Sequence, residues 1–152
     1  MENEKFNQQD LWGFKDINEL EVAQDMPDLI LKQQLELLKR KTHGILHVKT
    51  DVVHVEDKSE YNFTLATRYD IVVPNLDNYS KTVFVLYSSL ERIYPVMITD
   101  DKKFHEVLKR IYQGDMCYSK LEFESKLRKV FSSQKLMDIV RILYTKGLNA
   151  SK

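Results

Sequence analysis

Four histidines, one cysteine and scattered carboxylates are the side chains in this 152-residue chain that could carry out chemistry. A metal needs several His, Cys, Asp or Glu side chains brought to one point, which a sequence shows as short, regular spacing. His47 and His54 lie seven apart in a stretch that reads as a strand, and an odd separation there puts them on opposite faces. His43 and His47 have helical spacing, but Gly44 falls between them where a helix ends. His105 follows the apolar Phe104 and stands one turn after Asp101, an arrangement that suits a solvated ion pair. No third ligand joins any of these at a ligand-like interval, so neither a metal site nor a cofactor is expected.

Nucleophilic and hydrolytic chemistry are equally unsupported. Cys117 sits in Asp115-Met116-Cys117-Tyr118, with no cation within two positions to lower its pKa, and reads as a half-buried structural thiol. A lone thiol cannot close an internal disulfide and suits a reducing cytoplasm. Asp70 could be the first carboxylate of a nuclease site, yet the strand after it, Thr82–Ser88, holds no acid. Glu56-Asp57-Lys58 supplies an acid-x-Lys pattern only in a turn ahead of Asp70. Gly13, Gly44, Gly114 and Gly147 stand alone, so no glycine-rich phosphate loop exists, and no Gly-flanked Ser suggests a nucleophile elbow. No catalytic residue is nominated.

Charge is the asymmetry that remains. The chain is neutral overall, with 23 basic and 23 acidic residues. Residues 1–28 hold eight carboxylates against two lysines, whereas residues 102–152 hold twelve bases against five acids. The excess of cations falls on Lys120, Lys126, Arg128, Lys129, Lys135 and Arg141. Three readings stand: a phosphate-contacting face, the solvated side of amphipathic helices, or a patch neutralised by the acidic arm folding back. Trp12 and Phe14, flanking Gly13 within the acidic arm, could anchor in a partner's groove. The ordinary reading is that they plug this domain's own core.

These groups must be positioned by the elements that hydrophobic spacing predicts. Residues 1–26 form an acidic arm that retains Phe6, Leu11, Trp12, Phe14, Ile17, Leu20 and Val22, with a helical turn around Asn18–Gln24. A first helix over Pro27–Thr42 follows from Pro27 at its start, the stripe Ile30, Leu31, Leu35, Leu37 and Leu38, and Gly44 just past its end. The pattern then changes to period two over Ile45–Glu56, with Leu46, Val48, Thr50 and Val52 on one face. After a turn at Asp57-Lys58-Ser59, odd positions from Tyr61 to Val73 are almost all apolar or aromatic and even ones mostly polar. That predicts a half-buried antiparallel strand, with Phe63 and Ile71 on the packed flank. At about 3.3 Å per residue it is too long for so small a domain, which places a bend near Ala66-Thr67.

Thr82–Ser88, apolar on both faces, suits a central strand, and Ile93–Thr99 makes a fourth that Pro95 assigns to an edge or a bulge. Lys102–Gln113 reads as a helix stopped by Gly114. Ser119 and Glu122 have capping-box spacing before the next, and Ser132-Ser133 breaks or bends it. The final stripe runs from Leu136 to a stop at Gly147.

The fold class predicted is α+β: a four-stranded antiparallel β-meander preceded by one helix and followed by two or three helices packed on one sheet face. The organisation is an acidic N-terminal arm over 1–26, a single domain over 27–147 and a frayed tail over 148–152. The acidic start shows no secretory signal, and no stretch approaches the roughly 18 apolar residues of a membrane span. The function expected is that of a small, non-catalytic cytoplasmic protein working by protein–protein interaction or self-association. Alternatives are a small-ligand cup between a bent sheet and the helices, with Tyr69, Tyr87 and Tyr94 as polar handles, or nucleic-acid binding through the basic C-terminal helices.

Overall fold

The computed structural model describes residues 9–21, 23–56, 61–99 and 114–150. Helix α1 covers Pro27–Lys41, with Lys39, Arg40 and Lys41 in its last turn, where cations meet the negative end of the helix dipole. Thr42 closes it. Its hydroxyl donates to the Leu38 carbonyl at 2.9 Å and accepts from the Leu46 amide at 3.2 Å, which satisfies a buried polar group. His43 and Gly44 then take φ of 51° and 79°, the left-handed turn that sends the chain into the sheet.

Five antiparallel strands follow in spatial order: β1 (His47–His54), β2 (Leu65–Val73), β3 (Tyr79–Ser88), β4 (Val96–Thr99) and β5 (Asp115–Cys117). The meander expected from the sequence is therefore present, with five strands rather than four among the described residues. β5 has only three residues, too few to carry a period-two pattern, and it is recognisable only by its pairing with Val96–Ile98. That pairing places β4 inside the sheet in an unbroken register, so the expectation that Pro95 marks an edge or a bulge is corrected. Pro95 precedes the first paired residue, after a cis Tyr94–Pro95 bond, and removes no ladder donor.

The long strand expected over 61–73 begins only at Leu65. Asn62 takes φ of 51° and turns the chain, so Phe63 and Ile71 are both buried but on opposite faces of the sheet. Phe63 packs with Val55, Ala66, Val85, Tyr87 and Met97. Ile71 packs with Leu46, Val73 and Leu143. The register shift occurs at Tyr69/Asp70 rather than at Ala66-Thr67, because Tyr69 pairs with Phe84 and Asp70 with Thr82. The extra residue on β3 is Val83, which lets Val83 and Phe84 both pack toward the helices while Thr82 reaches the other face.

Helices α2 (Lys120–Phe131) and α3 (Gln134–Ala150) complete the layer. Ser119 caps α2 by accepting from the Glu122 amide at 3.2 Å, while the Glu122 carboxylate accepts from the Tyr118 amide at 2.9 Å. Ser132 and Ser133 separate the two helices, and the Ser133 hydroxyl accepts from the Leu136 amide at 3.2 Å. Gly147 is not a stop. Helix α3 continues to Ala150, so residues 148–150 are helical, and Gly147 is small because Ile45 and Val73 press on it. The helix expected over Lys102–Gln113 and the turn at Asp57-Lys58-Ser59 lie outside the described residues.

Among the described residues, the three helices cover one face. Ile30 and Leu31 of α1 and Phe123 and Leu127 of α2 pack on Tyr69, Phe84, Leu86, Val96, Ile98 and Cys117. Leu143 of α3 packs on Leu46, Ile71 and Val73. Among the described residues no helix is long and apolar enough to cross a membrane.

Candidate functional site

Helices α1 and α3 do not close completely against each other. Leu35, Leu37 and Leu38 on α1 face Leu136, Met137, Val140 and Tyr144 on α3 across a groove of about 550 Å³. Phe131, at the end of α2, forms part of its lining. The α3 wall arises from spacing: Met137, Val140, Arg141 and Tyr144 recur at three- and four-residue intervals, beside the face that buries Leu143. Met137 is 53% exposed, a large solvent contact for a thioether side chain. Lys41 lines the α1 side and Arg141 the α3 side, so an apolar floor is bordered by cations. Arg141 is itself held 3.5 Å from Asp138. This arrangement can take up an apolar stripe and attract carboxylates at its margins. Among the described residues it brings no three metal-ligating side chains together.

The six basic residues do not form one surface. Lys126, Lys129 and Lys135 line a separate cavity of about 480 Å³ beside Asp115 and Ser133, where the Lys126 ammonium is ion-paired with Asp115. Lys120 and Arg128 are exposed toward the opposite side of α2, as the helical period requires. Arg141 belongs to the groove.

The arm departs from the ordinary core-plug reading of Trp12 and Phe14. Trp12 is 78% exposed, and Leu11 and Ile17 are exposed beside it; Phe14 is half-buried, with its ring 6.3 Å from that of Trp12. The arm is shaped by local bonds. The Asp10 carboxylate accepts from the Trp12 amide at 3.0 Å, and Asp16 accepts from the Asn18 amide at 2.7 Å to cap a 3-10 turn at Ile17–Glu19. Its base is fixed where the Tyr94 hydroxyl donates to the Asp25 carbonyl at 2.8 Å.

The other candidate side chains have structural surroundings. Cys117 is buried, and its thiol is pushed up to about 11, first by burial and then by the Glu122 and Asp115 carboxylates, with Lys126 partly offsetting them. Asp70 is buried on the face away from the helices, where it accepts from the Thr82 hydroxyl at 2.7 Å and lies 3.4 Å from Arg68. Tyr69 and Tyr87 are buried core residues, and burial followed by the Asp28 charge raises the Tyr69 phenol above its ordinary range. The His47 ring contacts the Gly44 carbonyl at 3.1 Å.

The groove was not nominated from the sequence, because Leu35, Leu37, Leu38, Leu136, Val140 and Tyr144 read there simply as core. The available signal was width: a helix with Leu35, Leu37 and Leu38 in one turn presents more apolar arc than a single contact covers. No protein-family model, no curated protein and no solved structure gives a significant match to this chain.

Proposed function

We propose that the protein acts without catalysis, by binding another protein in the groove between α1 and α3. The observation that supports this most is the groove's composition, an apolar floor with Met137 half in solvent and Lys41 and Arg141 at its margins. Apolar grooves between helices receive amphipathic helices through residues at i, i+3 or i+4 and i+7, and methionine adapts to such guests. The basic margins select a helix whose polar face is acidic, through attraction that speeds encounter and discriminates partners. The exposed arm offers a second contact, with Trp12 as an anchor in a complementary pocket of the partner. The lone buried thiol fits a reducing compartment such as the cytoplasm.

The test uses a synthetic helical peptide with leucines at i, i+3 and i+7 and glutamates elsewhere. Fluorescence anisotropy should show saturable binding that weakens with added salt, and Met137→Glu should reduce it by at least roughly tenfold, the change expected from about 1.4 kcal/mol. No binding, or equal binding of a version with lysine in place of glutamate, would count against this reading.

A further inference from the structure

The sheet ends on an open strand. β1 pairs with β2 along all eight of its residues in an unbroken register, and no strand flanks its other side among the described residues. Every second residue of such a strand directs its N–H and C=O outward, a row about 27 Å long at ~3.4 Å per residue. Proteins commonly disable such edges with proline, a bulge, a short strand or charges that no neighbour can match, lysine above all. His47–His54 has no proline, no glycine and no bulge.

We infer that β1 is a self-association edge, on which β1 of a second copy adds antiparallel about a two-fold axis through Thr50. The side chains select both occupant and register. Thr50 lies opposite Tyr69 and Val48 opposite Ile71, so Val48, Thr50 and Val52 share the helix-covered face; Lys49 and Asp51 share the other face, opposite Asp70 and Arg68. Residues facing each other in an antiparallel pair lie on the same face of the sheet. Centring the pair on Thr50 sets Lys49 of each copy opposite Asp51 of the other, and Val48 opposite Val52, which is 53% exposed in the single chain. Centring it on Lys49 or on Asp51 instead sets like charges directly opposite each other, which is destabilising. The strand is thus complementary to its own reversed copy in one register.

The surroundings leave room for that neighbour. A trough of about 490 Å³ runs between the outer side of α1 and the sheet, lined by Lys32 and Glu36 above Val48, Thr50 and Val52. Two-fold pairing brings the two troughs edge to edge and merges the described sheets into one of ten strands. Asp51 also lies 3.5 Å from Arg68, which retains Asp70 if Asp51 turns toward the second copy. The trough shares Leu35 with the α1–α3 groove, but no residue of β1 lines that groove, so neither proposal depends on the other.

Charge reversal in the full chain decides the matter, with self-association measured by analytical ultracentrifugation across a concentration series at low salt. The wild type should form dimers reversibly. Lys49→Glu and Asp51→Lys should each weaken dimerisation by roughly tenfold, since two attractive pairs become repulsive. An equal mixture of the two variants should recover wild-type association as a heterodimer, because every facing pair is again of opposite sign. In the wild type, outward-directed β1 amides should gain hydrogen-exchange protection as concentration rises, which tests the edge even if a variant folds poorly. A wild type that stays monomeric, a mixture no tighter than its components, or a dimer without protection at β1 would overturn the proposal.

Discussion

At Cys117 the neutral thiol is favoured by burial and by the nearby Glu122 and Asp115 carboxylates, which together hold its pKa near 11 rather than its ordinary value near 9. A folded-state pKa raised in this way contributes stability that is fully present below about pH 9 and is lost as pH rises toward 11. Tyr94, pushed up to about 12 by burial and then by Asp25, Cys117 and Glu124, acts in the same direction only above about pH 10. The urea midpoint should therefore fall between pH 8 and pH 10, and the fall should be shallower in Cys117→Ala. A disulfide probe at pH 8 should label native Cys117 far more slowly than the unfolded chain. Gly147 is a second residue whose neighbours fix its identity. A Cβ there would stand 2.8 Å from Ile45 Cγ2 and from Val73 Cγ1, both on stiff β-branched side chains. Gly147→Ala should lower stability by about 1–2 kcal/mol in urea titrations, because overpacking outweighs alanine's helical advantage. The two residues differ in how far one-dimensional reading reaches. Cys117 was legible as structural because no cation stands near it in sequence, but Gly147 resembled a helix stop because its contacts with Ile45 and Val73 are distant along the chain.

At the scale of elements, local signals succeeded where the chemistry that ends an element lies within it. Pro27, the Lys39–Lys41 run and Gly44 bound α1, and Ser119 with Glu122 starts α2. Alternation failed at Tyr61–Thr64, where Asn62 in the left-handed region reverses which face Phe63 meets, and at β5, whose definition comes from β4. The bulge was foreseeable as a need to bend. Its position follows from Val83 and Phe84 both facing the helices, which only the packing of those helices reveals. The break between α2 and α3 is testable at this scale. Ser133→Ala removes the oxygen that accepts from the Leu136 amide and should cost about 1 kcal/mol, with the helical content of α3 reduced in circular dichroism near the melting temperature. Ser133→Asp should retain the cap and most of the stability.

At the scale of the molecule, the separation of charge seen in the sequence does not become, among the described residues, one basic face opposed to one acidic face. The cations are distributed between a lysine-lined cavity, the outer side of α2 and the margin of an apolar groove, while the acidic arm carries Trp12 into solvent. That distribution supports the proposed recognition of a mixed apolar and acidic surface rather than a continuous polyanion, whose binding would draw on many cations along one track. The groove therefore bears the weight of the functional account, and its occupant can be located directly. Isotope-labelled full-length protein titrated with the leucine–glutamate peptide should show amide shifts concentrated at Leu37, Met137, Val140 and Tyr144, and Arg141→Glu should abolish them. Shifts centred on Lys126, Lys129 and Lys135, or none at any concentration, would contradict it.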